Sequence, residues 1–166
     1  NAYSALQNAD FVDPNRIGIW GHSMAGNLAF RSMVIKKQIP AVVIWAGAVY
    51  TYQDFQDYRI ADNSYQPPDM DSEKAQRRQE LFQTYGDFEP SNPFWQQVVP
   101  TNYLDNVKGK LQLHHAQNDS VVNVKYSRNL HEILKDSGIE SQLYEYQSGG
   151  HNITGVNFNQ AMLRTV

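Results

Sequence analysis

The sequence predicts an α/β fold in which helices pack against a parallel sheet. Short apolar segments alternate with segments whose apolar residues recur at helical spacing, and this alternation is typical of parallel sheets with right-handed crossovers. The longest apolar run, residues 41–46, has the length of a central strand. With 166 residues, 41% of them hydrophobic, the chain is long enough for one domain with a substantial core.

The first half of the chain predicts two strands and two helices. Residues 1–10 predict a helix, and Asp13-Pro14-Asn15 predicts a turn after it. Residues 16–21 are short and apolar, which favours a buried strand, and residues 24–37 have apolar positions at helical spacing. The apolar run 41–46 then gives the second strand, so these residues form a strand–helix–strand unit.

The last third of the chain continues the same alternation. The predicted elements are a strand at 110–115, a helix at 122–136, a strand at 142–146 and a helix at 158–166. Gly138 suits the C-cap of the helix before it, because glycine readily adopts a left-handed backbone.

Residues 47–105 form an irregular, proline-punctuated insertion, with a charged, exposed helix predicted at 73–85. The insertion is rich in aromatic residues, namely Tyr50, Tyr52, Phe55, Tyr58, Tyr65, Phe82, Tyr85, Phe88, Phe94, Trp95 and Tyr103. One interpretation is a lid or wall over a substrate pocket, since such pockets favour aromatic linings. The other is that most of these rings simply hold the insertion together by packing.

Composition excludes several classes of function. The net charge of −3, without a basic stripe, argues against a nucleic-acid partner. No apolar run approaches the length of a membrane span, so we expect a soluble protein, and the compartment stays open. Cysteine is absent, which removes disulfides and thiol nucleophiles. No H-E-x-x-H or other metal-ligand spacing occurs, and we expect neither a metal nor a cofactor.

The segment Gly21-His22-Ser23-Met24-Ala25-Gly26 lies between the first predicted strand and its helix. It predicts a nucleophile elbow of the G-x-S-x-G type, with Ala25 where the second glycine usually stands and Gly26 directly after it. Glycines flank such a serine because the turn is tight, and the hydroxyl then projects above the sheet at a helix N-terminus. The alternative is a glycine-rich strand–helix turn with an incidental serine.

An acid and a base follow in the order that a serine nucleophile requires. Asp119 comes just after the strand 110–115, and His151 follows the strand 142–146 and two glycines. All three candidates would lie at the carboxyl edge of a parallel sheet, where such sheets place their sites. Taken alone, Asp119 also suits a turn or N-cap, and His151 an ordinary loop.

The remaining histidines predict no site of their own. His22 adjoins the serine and is expected to pack or to form a hydrogen bond. His114 and His115 are consecutive on a strand, so they point to opposite faces and cannot form one site together. His131 falls within a helix and has no obvious partner.

The chain resembles the catalytic domain of the prolyl oligopeptidase family of α/β-hydrolases, which includes dipeptidyl and acylaminoacyl peptidases. The resemblance rests on residues 13–26, 111–122 and 149–151. It implies Ser23 as nucleophile, Asp119 as acid and His151 as base. The sequence departs from the family's usual pattern at three places. The family usually has an aromatic residue at the position of His22, an aromatic residue and glycine at Met24-Ala25, and glycine at Ala116.

The resemblance also implies what lies outside these residues. The backbone N–H of Met24 would be one donor of the oxyanion hole, and the second would come from a loop after the third strand of an eight-stranded, three-layer α/β-hydrolase fold. We therefore expect residues 1–166 to be the C-terminal portion of the catalytic domain, with the insertion at about 47–105. An upstream segment of the same polypeptide would supply the first four strands.

The resemblance implies a serine peptidase that acts on peptides through an acyl-enzyme. A carboxylesterase acting on small acyl or aryl esters is an alternative, because the same three side chains serve both reactions. A further alternative, of another class, is a non-catalytic hydrolase-like fragment or an interaction module that uses the exposed sheet edge.

Overall fold

The computed structural model describes residues 2–58, 60–61, 72–87 and 89–165. Two of the aromatic residues predicted to line or pack the insertion, Tyr65 and Phe88, lie outside these ranges. No helix within the described ranges is both long enough and apolar enough to cross a bilayer.

Four strands form one parallel sheet in the order β1-β2-β3-β4, which confirms the predicted α/β fold. The strands are β1 (Gly18–His22), β2 (Ala41–Trp45), β3 (Lys110–Ala116) and β4 (Ser141–Tyr146). Because sequence order and spatial order agree and all pairs are parallel, each crossover returns the chain to the same end of the sheet. The four carboxyl ends therefore meet at one edge.

Seven helices accompany the sheet in the described ranges. They are α1 (Ala2–Gln7), α2 (Met24–Ile35), α3 (Tyr52–Tyr58), α4 (Glu73–Tyr85), α5 (Pro93–Gln96), α6 (Lys125–Asp136) and α7 (Val156–Thr165), with 3-10 turns at Pro100–Tyr103 and Gly150–Asn152. The short helices α3 and α5 were not predicted. Gly138 follows α6 with φ 71°, the left-handed conformation expected at its C-terminal end.

Two apolar layers enclose the sheet. Helices α2 and α6 cover one face, where Phe30 and Leu130 pack with strand residues such as Ile44 and Leu113, all four of them fully buried. The opposite face carries a smaller cluster around Trp45 that includes buried residues from β3, β4 and α7. Side chains alternate between the two faces along each strand, as the pleat of a strand requires.

Packing among the rings accounts for much of the aromatic insertion. The fully buried Tyr50 meets Phe30 edge to face, with ring centroids 5.5 Å apart. Tyr85 of α4 and Phe94 of α5 stack at 3.7 Å, and the rings of Phe82 and Trp95 lie 5.5 Å apart. These contacts favour the packing interpretation for these residues, and the predicted lid over a pocket stays a prediction.

Candidate active site

Ser23 occupies the sharp turn between β1 and α2. Its backbone has φ 55° and ψ −123°, a conformation that residues other than glycine adopt rarely. The turn leaves no room for side chains at its flanking glycines: a Cβ on Gly21 would lie 2.3 Å from the Ala25 carbonyl oxygen, and one on Gly26 would lie 2.6 Å from Ile44. Ser23 is therefore held at the carboxyl end of β1, with α2 beginning at the next residue.

The alanine at position 25 is compatible with this turn. Ala25 is exposed, whereas Gly26 is buried against β2. A methyl group at position 25 therefore faces open space. The steric demand for glycine falls on Gly21 and Gly26, so the departure from G-x-S-x-G leaves the elbow intact.

Asp119 lies in the loop between β3 and α6, with its side chain fully buried. Its Oδ1 accepts hydrogen bonds from the backbone N–H groups of Val121 and Val122 at 2.8 and 3.0 Å. Burial favours the neutral acid, but hydrogen bonds from His115, the two backbone groups and His151 outweigh it and hold the pKa of Asp119 well below its usual range. Asp119 is thus also a turn residue, as the alternative interpretation predicted, because its carboxylate accepts hydrogen bonds from the backbone of its own loop.

His151 follows β4 in a loop that bends back over the sheet edge. Gly149 and Gly150 have φ of 124° and 60°, which allows this course at little steric cost. Imidazole Nδ1 lies 2.8 Å from Asp119 Oδ2, and Nε2 lies 2.9 Å from Ser23 Oγ. Because a carboxylate only accepts, Nδ1 carries the proton and Nε2 accepts from the serine hydroxyl.

The structure thus brings together three side chains that are far apart in sequence. Ser23, Asp119 and His151 form a continuous hydrogen-bonded path at the carboxyl edge of the sheet. Such a path can remove a proton from a serine hydroxyl and stabilise the resulting imidazolium with a buried carboxylate. The assignment of catalytic roles to these residues stays a prediction.

Two further side chains hold the His151 loop. His22 Nε2 donates to the backbone carbonyl of His151 at 2.9 Å, which confirms the expected hydrogen-bonding role of His22. Asn118 Oδ1 accepts from the Gly150 N–H at 2.9 Å. Nothing in the sequence indicated Asn118, because a contact between loops 32 residues apart has no local pattern.

The other histidines have separate partners. His114 and His115 point to opposite faces as predicted, with Tyr146 and Ser127 as respective partners at 2.8 and 2.7 Å. The prediction that His131 lacks a partner was wrong, because its Nδ1 lies 2.8 Å from Ser141 Oγ, at the start of β4. His115 Nε2 also lies 3.2 Å from Asp119 Oδ2, a contact that was not predicted. The available signal was its position four residues before the acid.

Comparison with known proteins identifies the family. The family described as BAAT / acyl-CoA thioester hydrolase C terminal matches residues 1–156. A curated protein of Rhodopirellula baltica named "Putative Xaa-Pro dipeptidyl-peptidase" is 40% identical over 60 residues, which are 36% of this chain and 9% of that protein.

Solved structures show the same fold at low sequence identity. Acylaminoacyl peptidase of Pyrococcus horikoshii is 19% identical over 99% of this chain, with a TM-score of 0.67, and dipeptidyl peptidase 4 of Porphyromonas gingivalis is 20% identical over 99%, with a TM-score of 0.68. Acetyl xylan esterase 1 of Thermoanaerobacterium sp. JW/SL YS485 is 17% identical over 98%, with a TM-score of 0.59. This chain covers 24%, 20% and 48% of these three structures, respectively.

The match over most of its length and the shared sheet agree with the predicted resemblance. The chain belongs to the BAAT / acyl-CoA thioester hydrolase C-terminal family, and it shares its fold with the acylaminoacyl peptidase and dipeptidyl peptidase 4 structures.

Proposed function

We propose that this chain carries the nucleophile, acid and base of a serine hydrolase that works through an acyl-enzyme. The observation that supports the proposal best is the path from Ser23 Oγ to His151 at 2.9 Å and on to Asp119 at 2.8 Å. A serine is activated in this way when a base lies within hydrogen-bond reach and a third group orients that base. All three side chains lie on one edge of the sheet.

Each residue has a distinct role in the proposed reaction. His151 Nε2 takes the proton from Ser23 as Oγ attacks the substrate carbonyl carbon, and the same proton then goes to the leaving amine, alcohol or thiol. Water attacks the acyl-enzyme by the same path and restores Ser23. Asp119 stabilises the imidazolium, and its lowered pKa keeps the charge on the carboxylate throughout.

The oxyanion of the tetrahedral intermediate needs backbone donors. Met24 is the first residue of α2, so its N–H has no intrahelical partner and lies at the positive end of the helix dipole. A second donor would come from an upstream segment of a longer polypeptide that includes these residues as the C-terminal portion of its catalytic domain. Absence of one such donor costs about 100- to 1,000-fold in turnover.

The first candidate substrate is a peptide. The peptidases with the same fold and the relative named as an Xaa-Pro dipeptidyl-peptidase support this choice. The second candidate is an acyl ester or thioester, which the family match and the acetyl xylan esterase favour. A non-catalytic, interaction-only role is a less economical proposal, because it gives no reason for the aligned path among the three side chains.

Labelling by a fluorophosphonate probe tests the nucleophile in the complete natural polypeptide. We expect labelling of the wild type and none of Ser23→Ala. Ser32→Ala is the matched control, because Ser32 lies in α2, nine residues beyond Ser23, and its hydroxyl donates to the Leu28 carbonyl. Equal labelling of wild type and Ser23→Ala would overturn the proposal.

A substrate panel then separates the two candidates. Peptidyl anilides, p-nitrophenyl esters and acyl thioesters would be compared by kcat/KM at equal enzyme concentration. Ser23-dependent cleavage of the anilides identifies a peptidase, and cleavage restricted to esters or thioesters identifies the second candidate. No Ser23-dependent turnover of any substrate, together with no labelling, would favour the non-catalytic role.

A further inference from the structure

A second imidazole contacts the candidate acid. His115 is fully buried near the end of β3, and its Nε2 lies 3.2 Å from Asp119 Oδ2 and 2.9 Å from the Val122 carbonyl oxygen. The path from Ser23 through His151 to Asp119 does not include this ring. A buried polar side chain at the back of a catalytic carboxylate therefore requires an explanation of its own.

The partners of His115 fix which of its nitrogens carries the proton. A carbonyl oxygen only accepts, so the contact with Val122 requires a proton on Nε2. The other nitrogen, Nδ1, lies 2.7 Å from Ser127 Oγ, and in the neutral ring it accepts from that hydroxyl. Ser127 is itself buried in α6, so the ring is held from both ends, and its single N–H donates to the Val122 carbonyl with the Asp119 carboxylate 3.2 Å from the same nitrogen.

The carboxylate of Asp119 is thereby held on both of its oxygens. Val121 and Val122 donate to Oδ1, and His151 Nδ1 donates to Oδ2. His115 Nε2, whose N–H also donates to the Val122 carbonyl, lies 3.2 Å from the same Oδ2. A second N–H beside Oδ2 restricts rotation of the carboxylate away from His151. It also makes that oxygen a weaker base, so the proton shared with His151 stays on the imidazole.

We propose that His115 is a positioning residue for the serine hydrolase reaction: it aims and holds the Asp119 carboxylate against His151. This inference rests on the proposed function, because it assigns His115 to the same site. His115 acts through Asp119 and does not touch the reacting atoms. Its counterpart on the same strand, His114, is equally buried but faces the opposite side of the sheet.

The adjacent histidines provide a matched test in the complete polypeptide. We expect His115→Phe to lower kcat by about 10- to 100-fold and to leave KM unchanged, because a small displacement of the acid misorients the base. His115→Gln, whose amide can restore the N–H near Nε2, should recover kcat to within about threefold of the wild type. His114→Phe should leave kcat unchanged.

Two results would overturn the proposal. One is a kcat for folded His115→Phe within about threefold of the wild type, and the other is an equal loss of kcat in His114→Phe. If His115→Phe does not fold, Ser127→Ala replaces it, because this change removes the donor to Nδ1. We expect a loss of about 3- to 10-fold in kcat for Ser127→Ala, and an unchanged kcat would overturn the proposal.

Titration of the Asp119 carboxyl carbon by NMR separates this inference from the proposed function. The pKa of Asp119 should rise in His115→Phe and stay unchanged in His114→Phe. The nearby titratable groups are His151 and Glu145, the latter opposite His115 on β4, and the variants retain both. If the wild type has no Ser23-dependent turnover, the hydrolase proposal fails, but an unchanged Asp119 pKa is what contradicts the positioning role.

Discussion

His114 and His115 are neighbours on β3, both are fully buried, and each has a hydrogen-bond partner on both ring nitrogens. His114 faces the side of the sheet that α7 covers, where it contacts Tyr146 and Gln112 at 2.8 and 2.7 Å. His115 faces the α6 side, where it contacts the candidate acid. The two rings are equally buried, but only His115 contacts the candidate site. Burial of a histidine therefore does not by itself indicate that it belongs to the site.

The two faces also differ in charge. Burial, with a smaller contribution from the positive charge of Arg164, lowers the pKa of His114 to about 4. On the other face the N–H of His115 donates to the Val122 carbonyl, the Asp119 carboxylate lies 3.2 Å from the same nitrogen, and neither of these partners is a cation. The alternation of side chains along one strand therefore places a structural histidine and a candidate positioning histidine at consecutive residues.

The largest effect is expected on the α6 face, at the acid itself. Asp119→Asn should lower kcat/KM by about 10⁴-fold, because an amide favours the tautomer of His151 that cannot accept the Ser23 proton on Nε2. Steady-state kinetics of the complete polypeptide measure this loss. Asp136→Asn, at the exposed end of α6, is the control and should be silent. A loss of kcat/KM below tenfold for Asp119→Asn would contradict the assignment of the site to the α6 face.

On the α7 face, the expected effect is on stability and depends on pH. His114 has a lowered pKa in the folded state, so the unfolded chain binds the extra proton more readily. Above the unfolded pKa of 6.5, neutral His114 does not reduce the stability of the folded chain. As the pH falls toward 4, proton binding by the unfolded chain should lower the free energy of unfolding by about 3 kcal/mol. Urea unfolding at several pH values measures the slope, and an identical slope in His114→Phe would contradict it.

Replacing the ring tests the same face at constant pH. His114→Phe should lower the free energy of unfolding at pH 7 by about 2 kcal/mol, because the Tyr146 hydroxyl and the Gln112 amide each lose their hydrogen bond to the ring. The measurement is denaturant unfolding, with kcat recorded on the same samples. A variant that is as stable as the wild type would show that these hydrogen bonds contribute nothing net.

The smallest expected effect concerns the Tyr146 hydroxyl. Tyr146→Phe removes the donor to His114 Nδ1 and a longer contact from Arg164 Nη1 at 3.4 Å, and it keeps the ring that stacks on His114. The free energy of unfolding should therefore fall by about 1 kcal/mol. Thermal unfolding at neutral pH measures the difference. Tyr144→Phe is the control, because the Tyr144 hydroxyl bonds to an exposed glutamine instead. Equal losses of unfolding free energy in the two variants would show that the effect does not depend on the hydrogen bond to His114.

Much of the architecture could be predicted because it is encoded locally. The strand cores agree with the predicted ranges within about two residues, since short apolar segments between turn residues have few alternatives. The predicted helix 122–136 begins three residues late, at Lys125, because residues 119–122 form a turn around the Asp119 carboxylate. That turn depends on hydrogen bonds to a side chain, and the spacing of apolar residues along the sequence gives no sign of such bonds.

The supporting contacts of the site could not be predicted for a related reason. Asn118 reaches Gly150 and His22 reaches the His151 carbonyl, and both contacts depend on how separate loops pack. The fold places Ser23, Asp119 and His151 at strand ends, which a sequence pattern can express. Asn118 and His22 have no spacing rule of their own, whereas His115 precedes Asp119 by four residues in the same strand and loop.

The backbone conformation of Ser23 lowers the stability of the fold. A positive φ beside a ψ of −123° suits glycine, and serine there costs on the order of 1 to 3 kcal/mol. A Ser23→Gly chain should consequently melt at a higher temperature than the natural one while losing its hydroxyl. If Ser23 is the nucleophile, the conformation that presents its hydroxyl also lowers the stability of the fold. A search for heat-resistant variants would then favour substitutions at the residue that the proposed reaction requires.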